Sequence, residues 1–430
     1  MADSPDTTKD PNSESERLRM AVQDLGILGE IVAQIGTQRR VDQINRLILG
    51  ICVRHFNVEQ GVIHLLDPTD PQDMLRTGIR VRSQGQETAY QESLRYRLGM
   101  SLTGWMLLHQ EAIVSNDLPN DSRFAGSIKD MPNVKSLLAA PLKVRRRLLG
   151  TLSLFNKRDD RLLGESDRRL LDIIAMQAAQ VIENARLYEM EEDLRAARSI
   201  QQGLLPRAQP KIAGVDVHGL ALPAHEVGGD LFDWARLPGG RLGCVVADVS
   251  GKGMPAALLA AHLQALFKSQ AVTGASPAQA VDAVNAMLRT TLDYDRFVTL
   301  FCMAVDPAQN TLTYVNAGHN PPLLWRADGT MDALPEAGML ISPISSKPYV
   351  EHTVPFGPGD VIVIYSDGVT EAESASGEQW GRASLEAAIG DGPRNTATEV
   401  AERIRRRLVT FVAGHRQSDD ITLVIVRNSG

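Results

Sequence analysis

Four short aspartate motifs punctuate the C-terminal half of this 430-residue chain: Val227-Gly228-Gly229-Asp230, Asp248-Val249-Ser250-Gly251-Lys252-Gly253, Ser366-Asp367-Gly368 and Asp419-Asp420-Ile421-Thr422. Each follows or interrupts an apolar, strand-like run and sits beside glycine or another small residue. One Asp at a strand end is ordinarily a turn former. Four such motifs, far apart in sequence, point to carboxylates converging on a cluster of hard cations. Gathered carboxylates repel: two unit charges ~4 Å apart cost about 4 kcal/mol at an effective dielectric of about 20. A proton or a divalent ion relieves that cost, and oxygen-only donors suit Mg²⁺ or Mn²⁺ over zinc. Two metals about 3.5–4 Å apart can share a water, lower its pKa and aim it in line at phosphorus. The chemistry to expect is metal-assisted hydrolysis, with no Cys or His nucleophile required.

The flanking sequence supplies elements that could position these groups. Leu242 to Ala247 predicts a strand that delivers Asp248 at its end. The Ser-Gly-Lys-Gly turn then hands over to a helix opening at Pro255 and running through Phe267, with Pro in the first turn as helix starts favour. A helix N-terminus there would also favour a phosphate. Val361 to Tyr365 predicts a buried strand ending in Ser366-Asp367-Gly368, and the last strand, Ile421 to Val426, starts directly after Asp419-Asp420. Gly228 and Gly229 mark a close backbone approach before Asp230. Asp233 is a candidate for an outer contact through water. Lys252 reads as a solvated loop lysine, and His319, in Ala317-Gly318-His319-Asn320-Pro321-Pro322, as a structural His in a tight turn.

Composition narrows the class. A chain of 430 residues exceeds one compact core, so two or three domains are expected. With 43% apolar and 23% charged residues it is typical of soluble globular proteins, and a net charge of −7 leaves no basic footprint for nucleic acid. The three cysteines, Cys52, Cys244 and Cys302, lie apart in apolar stretches and form neither a zinc spacing nor a disulfide framework. The polar, acidic N-terminus carries no signal-peptide pattern and no apolar run is long enough for a membrane span, so a cytoplasmic location is expected.

Residues 1–16 read as disordered, and 17–36 as a helix with Leu18, Leu25 and Val32 seven apart, fit for packing on its own domain or for dimerisation. From 37 to 185 the pattern is α+β: an amphipathic helix over 41–55, a strand over 60–66, and a hairpin around Arg145-Arg146-Arg147. This stretch resembles a GAF domain in Leu98-Gly99-Met100-Ser101-Leu102-Thr103-Gly104-Trp105, in Val114-Ser115-Asn116-Asp117, in Asp121-Ser122-Arg123-Phe124, in Ser136 to Leu142, and in the helix through Ile182-Glu183-Asn184. The resemblance implies a sensor or dimerisation unit whose small-molecule ligand, if it takes one, is unidentified. The helical pattern continues to about 204, with Leu187, Leu194 and Gln201 and also Met190, Ala197 and Leu204 seven apart, so 186–206 reads as a helical coiled-coil linker in a homodimer.

Residues 207–430, with the Ile200-Gln201-Gln202-Gly203-Leu204-Leu205-Pro206 lead-in, resemble the SpoIIE-type branch of the PPM (protein phosphatase 2C) family. Besides the Asp motifs, Phe297-Val298-Thr299-Leu300, Asn316 to Pro322 and Gly368-Val369-Thr370-Glu371-Ala372 carry the likeness. The fold class this implies is α+β and multidomain, a GAF domain joined by a long helix to a PPM-type α-β-β-α sandwich. The implied activity is a Ser/Thr phosphoprotein phosphatase that uses two divalent cations, Mn²⁺ or Mg²⁺, on a small regulatory protein such as an anti-sigma-factor antagonist. By the same resemblance Asp248 bridges both metals, Asp230 and the Val249 carbonyl complete one, and Asp367 with the Asp419-Asp420 pair holds the other. Asp419 is the expected ligand of that pair, with Asp420 in support, although Asp-Asp by itself leaves the choice open. No nucleic acid or membrane partner is implied. The rivals are a catalytically silent GAF-dimer scaffold and a GGDEF-like cyclase, the latter lacking an acidic residue at Leu231.

Overall fold

The computed structural model describes residues 26, 29, 40–66, 77–82, 88–89, 102, 104–124, 134–159, 161–206, 208–335 and 338–430. The expected N-terminal disorder, the heptads of 17–36 apart from helical Gly26 and Gly29, and the 98–101 loop lie outside them. The chain divides into two compact units, Met1–Glu192 and Asp193–Gly430.

In the first unit, helix α1 (Val41–His55) presents Ile44, Ile48, Leu49, Ile51 and Cys52 to a common core, the spacing of one helix face. A six-stranded sheet of order β3-β2-β1-β6-β5-β4 lies beneath it, formed by β1 (Val58–Leu65), β2 (Thr77–Arg82), β3 (Thr88–Ala89), β4 (Ile113–Ser115), β5 (Leu137–Val144) and β6 (Arg147–Lys157). The hairpin between β5 and β6 turns at Arg145, whose φ of 56° is a left-handed conformation. Gly150 is required there, because a Cβ would come 2.0 Å from the His64 carbonyl oxygen of the neighbouring strand. Helix α2 (Glu165–Leu204) closes the core with Leu171, Ile174, Ala175, Ala178, Ala179 and Ile182, then runs past the division between the units. The opposite sheet face has its own apolar cluster, including Met106, Leu118, Phe124, Leu137 and Phe155.

The second unit is a four-layer sandwich. One five-stranded sheet has the order β14-β11-β10-β9-β8, from β8 (Leu231–Leu237), β9 (Arg241–Val249), β10 (Val298–Asp306), β11 (Thr311–Ala317) and β14 (His352–Pro355). The other has the order β13-β12-β15-β16-β7, from β7 (Val215–Leu222), β12 (Leu323–Trp325), β13 (Met331–Ala333), β15 (Val361–Tyr365) and β16 (Ile421–Asn428). Between them lies a core containing Phe232, Val246, Phe301, Ile362, Ile364, Val424 and Val426. Helices α3 (Met254–Thr273) and α4 (Pro277–Leu288) cover the outer face of the first sheet, and α5 (Gly381–Gly390) and α6 (Ala397–Val412) that of the second. Strands buried on both faces explain the near-continuous apolar runs at 242–249 and 361–365. This is the α-β-β-α layering expected from the sequence. A Ser276 capping box with Pro277 in the first turn starts α4.

Among the described residues no helix is long and apolar enough to cross a membrane. All three cysteines are free and buried, and burial pushes the Cys52 and Cys302 thiols up to about 12 and the Cys244 thiol higher still. Thiolate is the reactive form. Native protein is therefore expected to leave all three unmodified by Ellman's reagent, with release of chromophore only in denaturant; fast labelling of native protein would contradict the packing.

Candidate active site

The aspartate motifs meet at one end of the sandwich, where loops leaving both sheets converge. Asp248 is the penultimate residue of the buried strand β9, opposite Thr299 of β10. Asp230 immediately precedes β8. Asp367 opens a one-turn helix, Asp367–Thr370, directly after β15, and Asp419-Asp420 lead into β16. Glycine makes these approaches feasible. A Cβ on Gly229 would sit 2.7 Å from the Val249 carbonyl oxygen, and one on Gly368 would sit 2.0 Å from the Asp420 carbonyl oxygen. The sequence signal at Gly228-Gly229 thus marks a true contact, and the Val249 carbonyl lies beside the loop that carries Asp230.

The two residues of the terminal pair make different bonds. Asp420 Oδ1 accepts from the Ala224 N–H at 2.8 Å and Oδ2 from the Gly229 N–H at 2.7 Å, so both oxygens hold the backbone of the loop before Asp230. Its own carbonyl accepts from Ser366 Oγ at 3.1 Å, which joins the Asp367 turn to the same strap. Asp419 is half-exposed; its Oδ1 accepts from the Asp420 N–H, and its Oδ2 lies 3.3 Å from Lys252 Nζ. Lys252 is exposed, as a solvated loop lysine is expected to be, and it also donates to the Ser418 carbonyl at 2.9 Å.

The carboxylates act on one another. Burial first, then the charges of Asp367, Asp419 and Asp420, raise the Asp248 carboxyl to about 6. Burial and the neighbouring Asp248 charge push Asp230 well above the ordinary carboxylate range. Burial and Asp419 raise Asp367, with Lys252 pulling the other way. Asp230 Oδ2 is buried and has no hydrogen-bond partner. A buried acceptor without a donor is costly unless a cation or proton meets it. Among the described residues no group of three or more His, Cys, Asp or Glu side chains is placed so that it could hold a metal ion as it stands. By donor type the set nevertheless suits a hard divalent ion: the donors are oxygens only, they include one buried oxygen without a partner, and they carry excess negative charge.

Two further sequence candidates make other contacts. Alternation along β8 places Asp233 on the helix-facing side, where it accepts from Gln264 at 2.8 Å and pairs with Lys268 at 3.0 Å, so it makes no outer contact at the cluster. His319 is buried, with Nδ1 3.0 Å from Thr299 Oγ1, and burial lowers it to about 4, as suits a structural His. Sequence reasoning named Ser366 and Gln201 only as motif positions and not their contacts, whose partners are supplied by distant chain segments.

Residues 238–429 match the family described as stage II sporulation protein E (SpoIIE), and residues 38–183 match the GAF domain. The chain is 28% identical over 240 residues to phosphoserine phosphatase RsbU of Bacillus subtilis (strain 168), a match covering 56% of this chain and 71% of RsbU. It is 26% identical over 242 residues to phosphoserine phosphatase RsbP of the same organism, covering 55% of this chain but only 58% of RsbP. Among solved structures, the SiaA-PP2C domain of Pseudomonas aeruginosa superposes with a TM-score of 0.51 at 23% identity, covering 56% of this chain and 98% of that domain, a likeness of fold. The chain thus carries a GAF-type domain followed by a serine/threonine phosphatase domain similar to the SpoIIE-type phosphatases of the PPM family.

Proposed function

We propose that the protein removes phosphate from a phosphoserine or phosphothreonine of a small regulatory protein, an anti-sigma-factor antagonist being the kind the resemblance implies. Water is the nucleophile, and two divalent cations, Mn²⁺ or Mg²⁺, take part. When bound, the cations supply Lewis acidity and a water acidic enough to act at neutral pH. Asp248 would lie between them, Asp230 and the Val249 carbonyl would hold one, and Asp367 with Asp419 the other. Asp420 would support by fixing the loop backbone, since both its oxygens are already taken by N–H donors. Lys252 would orient Asp419. The observation that carries this reading is the convergence of carboxylates from the other three segments on Asp248, with one of them, Asp230, keeping a buried oxygen that has no hydrogen-bond partner.

The N-terminal unit would regulate that site. His64 Nδ1, Thr151 Oγ1 and Ser153 Oγ are buried without partners among the described residues, on the sheet face away from α1, which supports a small-molecule ligand there. The exposed Leu187 and Met190 on α2 support a homodimeric coiled coil. Free buried cysteines suit a reducing compartment, in line with action in the cytoplasm.

The test is hydrolysis of p-nitrophenyl phosphate and of a phosphoserine peptide by purified protein with Mn²⁺ or Mg²⁺. Turnover that needs the metal and is removed by chelator is expected. No turnover with any divalent ion would sink the reading and restore the silent scaffold.

A further inference from the structure

Helix α6 leaves part of the second sheet uncovered. Its buried stripe, Val400, Ala401, Ile404 and Leu408, packs on the outer face of that sheet. Ala413 and Gly414 then take left-handed φ values of 46° and 84°, which ends the helix. Near that end Leu220 and Leu222 of the edge strand β7, and Val412 of α6 itself, are only half-buried, and Val409 is 57% exposed. With Ile421 and Leu423 of β16 they line a cavity of about 210 Å³, more than the ~150 Å³ that admits benzene in an apolar core. Gln417 ties the returning loop down by donating to the carbonyls of Leu222 and Asp419, both at 2.7 Å. The cavity reaches Gly368 and Asp419, so it is continuous with the aspartate cluster. Exposed His415 and Arg416 stand at its rim with one half-buried carboxylate, Glu373, while Arg405 is already paired with Glu402 at 2.8 Å. Apolar surface left open and rimmed by charge marks an interaction site.

Resting on the phosphatase reading above, we propose that this hollow is a docking subsite for the phosphoprotein substrate. It takes one bulky aliphatic side chain close in sequence to the phosphoserine, with an acidic neighbour meeting Arg416. The wall sets the spacing. Ile421 and Leu423 follow Asp419 by two and four residues and share one strand face, which at ~3.4 Å per residue places them about 7 and 14 Å along the strand. An extended substrate segment passing beside that wall covers the same span in about two to four residues. The dephosphorylated residue would then be selected by what flanks it as well as by its phosphate.

The experiment uses the full-length protein with Mn²⁺ and short alanine-based phosphoserine peptides. These carry Leu or Ala at each position two to four residues to either side of the phosphoserine, and Asp or Lys beside it. The readout is the ratio of kcat/KM between paired peptides on one preparation, which does not depend on how much of a variant has folded. Wild type is expected to prefer Leu over Ala about tenfold at one of these positions, as burial of a large aliphatic side chain provides. Val409→Glu is expected to bring that ratio to within about twofold of one. Arg416→Glu is expected to keep the Leu preference but to reverse a preference for Asp over Lys of about threefold, the scale of a partly exposed ion pair. Equal rates on Leu and Ala peptides in wild type, a Leu preference untouched by Val409→Glu, or an Asp preference untouched by Arg416→Glu would overturn the proposal. So would turnover of p-nitrophenyl phosphate but of no Leu peptide. A Val409→Glu protein that passes from dimer to monomer in sedimentation with its Leu preference intact would give the hollow to a second copy of the chain instead. Wild type that hydrolyses neither the peptides nor p-nitrophenyl phosphate would overturn the phosphatase reading beneath it.

Discussion

Asp248→Asn is expected to abolish metal-dependent turnover while making the metal-free protein more stable at pH 7.5. The first effect follows from the central place of Asp248 among the carboxylates, where it is the proposed bridge between the two cations; a loss of about a thousandfold or more in kcat is expected. The second follows from its ionisation. The group titrates at about 6 in the folded protein, above the ordinary carboxylate value, because it is buried among like charges. A raised folded pKa contributes stability that is fully present below the unfolded value and is lost as pH rises through the folded one. At pH 7.5 the metal-free fold therefore carries an ionised Asp248 at a cost on the order of 2 kcal/mol. Asparagine removes that charge without changing size. Calorimetry without metal should show the phosphatase domain melting about 4–8 °C higher than wild type at pH 7.5, with the difference vanishing below about pH 4. Saturating Mn²⁺ should reverse the order, since only wild type gains from it. An equal or lower melting temperature for metal-free Asp248→Asn at pH 7.5 would show that the cluster is not strained by its own charge.

Gly368→Ala is expected to be among the most damaging single methyl additions in the second unit. The new Cβ would stand 2.0 Å from the Asp420 carbonyl oxygen and 2.9 Å from its carbon, both backbone atoms at the start of a central strand. No side-chain rotation relieves that contact. Either the Asp367 turn or the Asp419-Asp420 segment must shift, and each carries a proposed ligand. A destabilisation of about 3 kcal/mol is expected, lowering the melting temperature by roughly 6–12 °C, together with loss of high-affinity Mn²⁺ binding. Gly357→Ala is the control, because nothing lies within 4 Å of its added Cβ. Similar melting temperatures for the two variants would refute the close approach on which the site geometry depends.

Much of this architecture is written locally. The periodicity of 41–55 and of 166–204 gives α1 and α2, and the apolar runs ending at Asp248 and Asp367 give the strands that carry those residues. Glycines beside Asp230 and Asp367 announce backbone contacts, because that requirement acts at a single position. What the local pattern does not carry is pairing across distance. The different roles of Asp419 and Asp420 rest on N–H donors from residues 224 and 229, and the engagement of Lys252 rests on Ser418 and Asp419. Asp233 has the right residue type near the right motif, yet strand alternation turns it toward Gln264 and Lys268. Gln201 looks like one more polar position on a charged helix until the fold brings Gly228 against it.

The most direct test of the two-metal reading is anomalous diffraction from Mn²⁺-soaked crystals of the protein. Two peaks about 3.5–4 Å apart are expected, with Asp248 between them, Asp230 and the Val249 carbonyl on one, Asp367 and Asp419 on the other, and Asp420 still bonded to the Gly229 N–H. A single peak, or peaks that leave Asp248 outside the coordination shell, would contradict it.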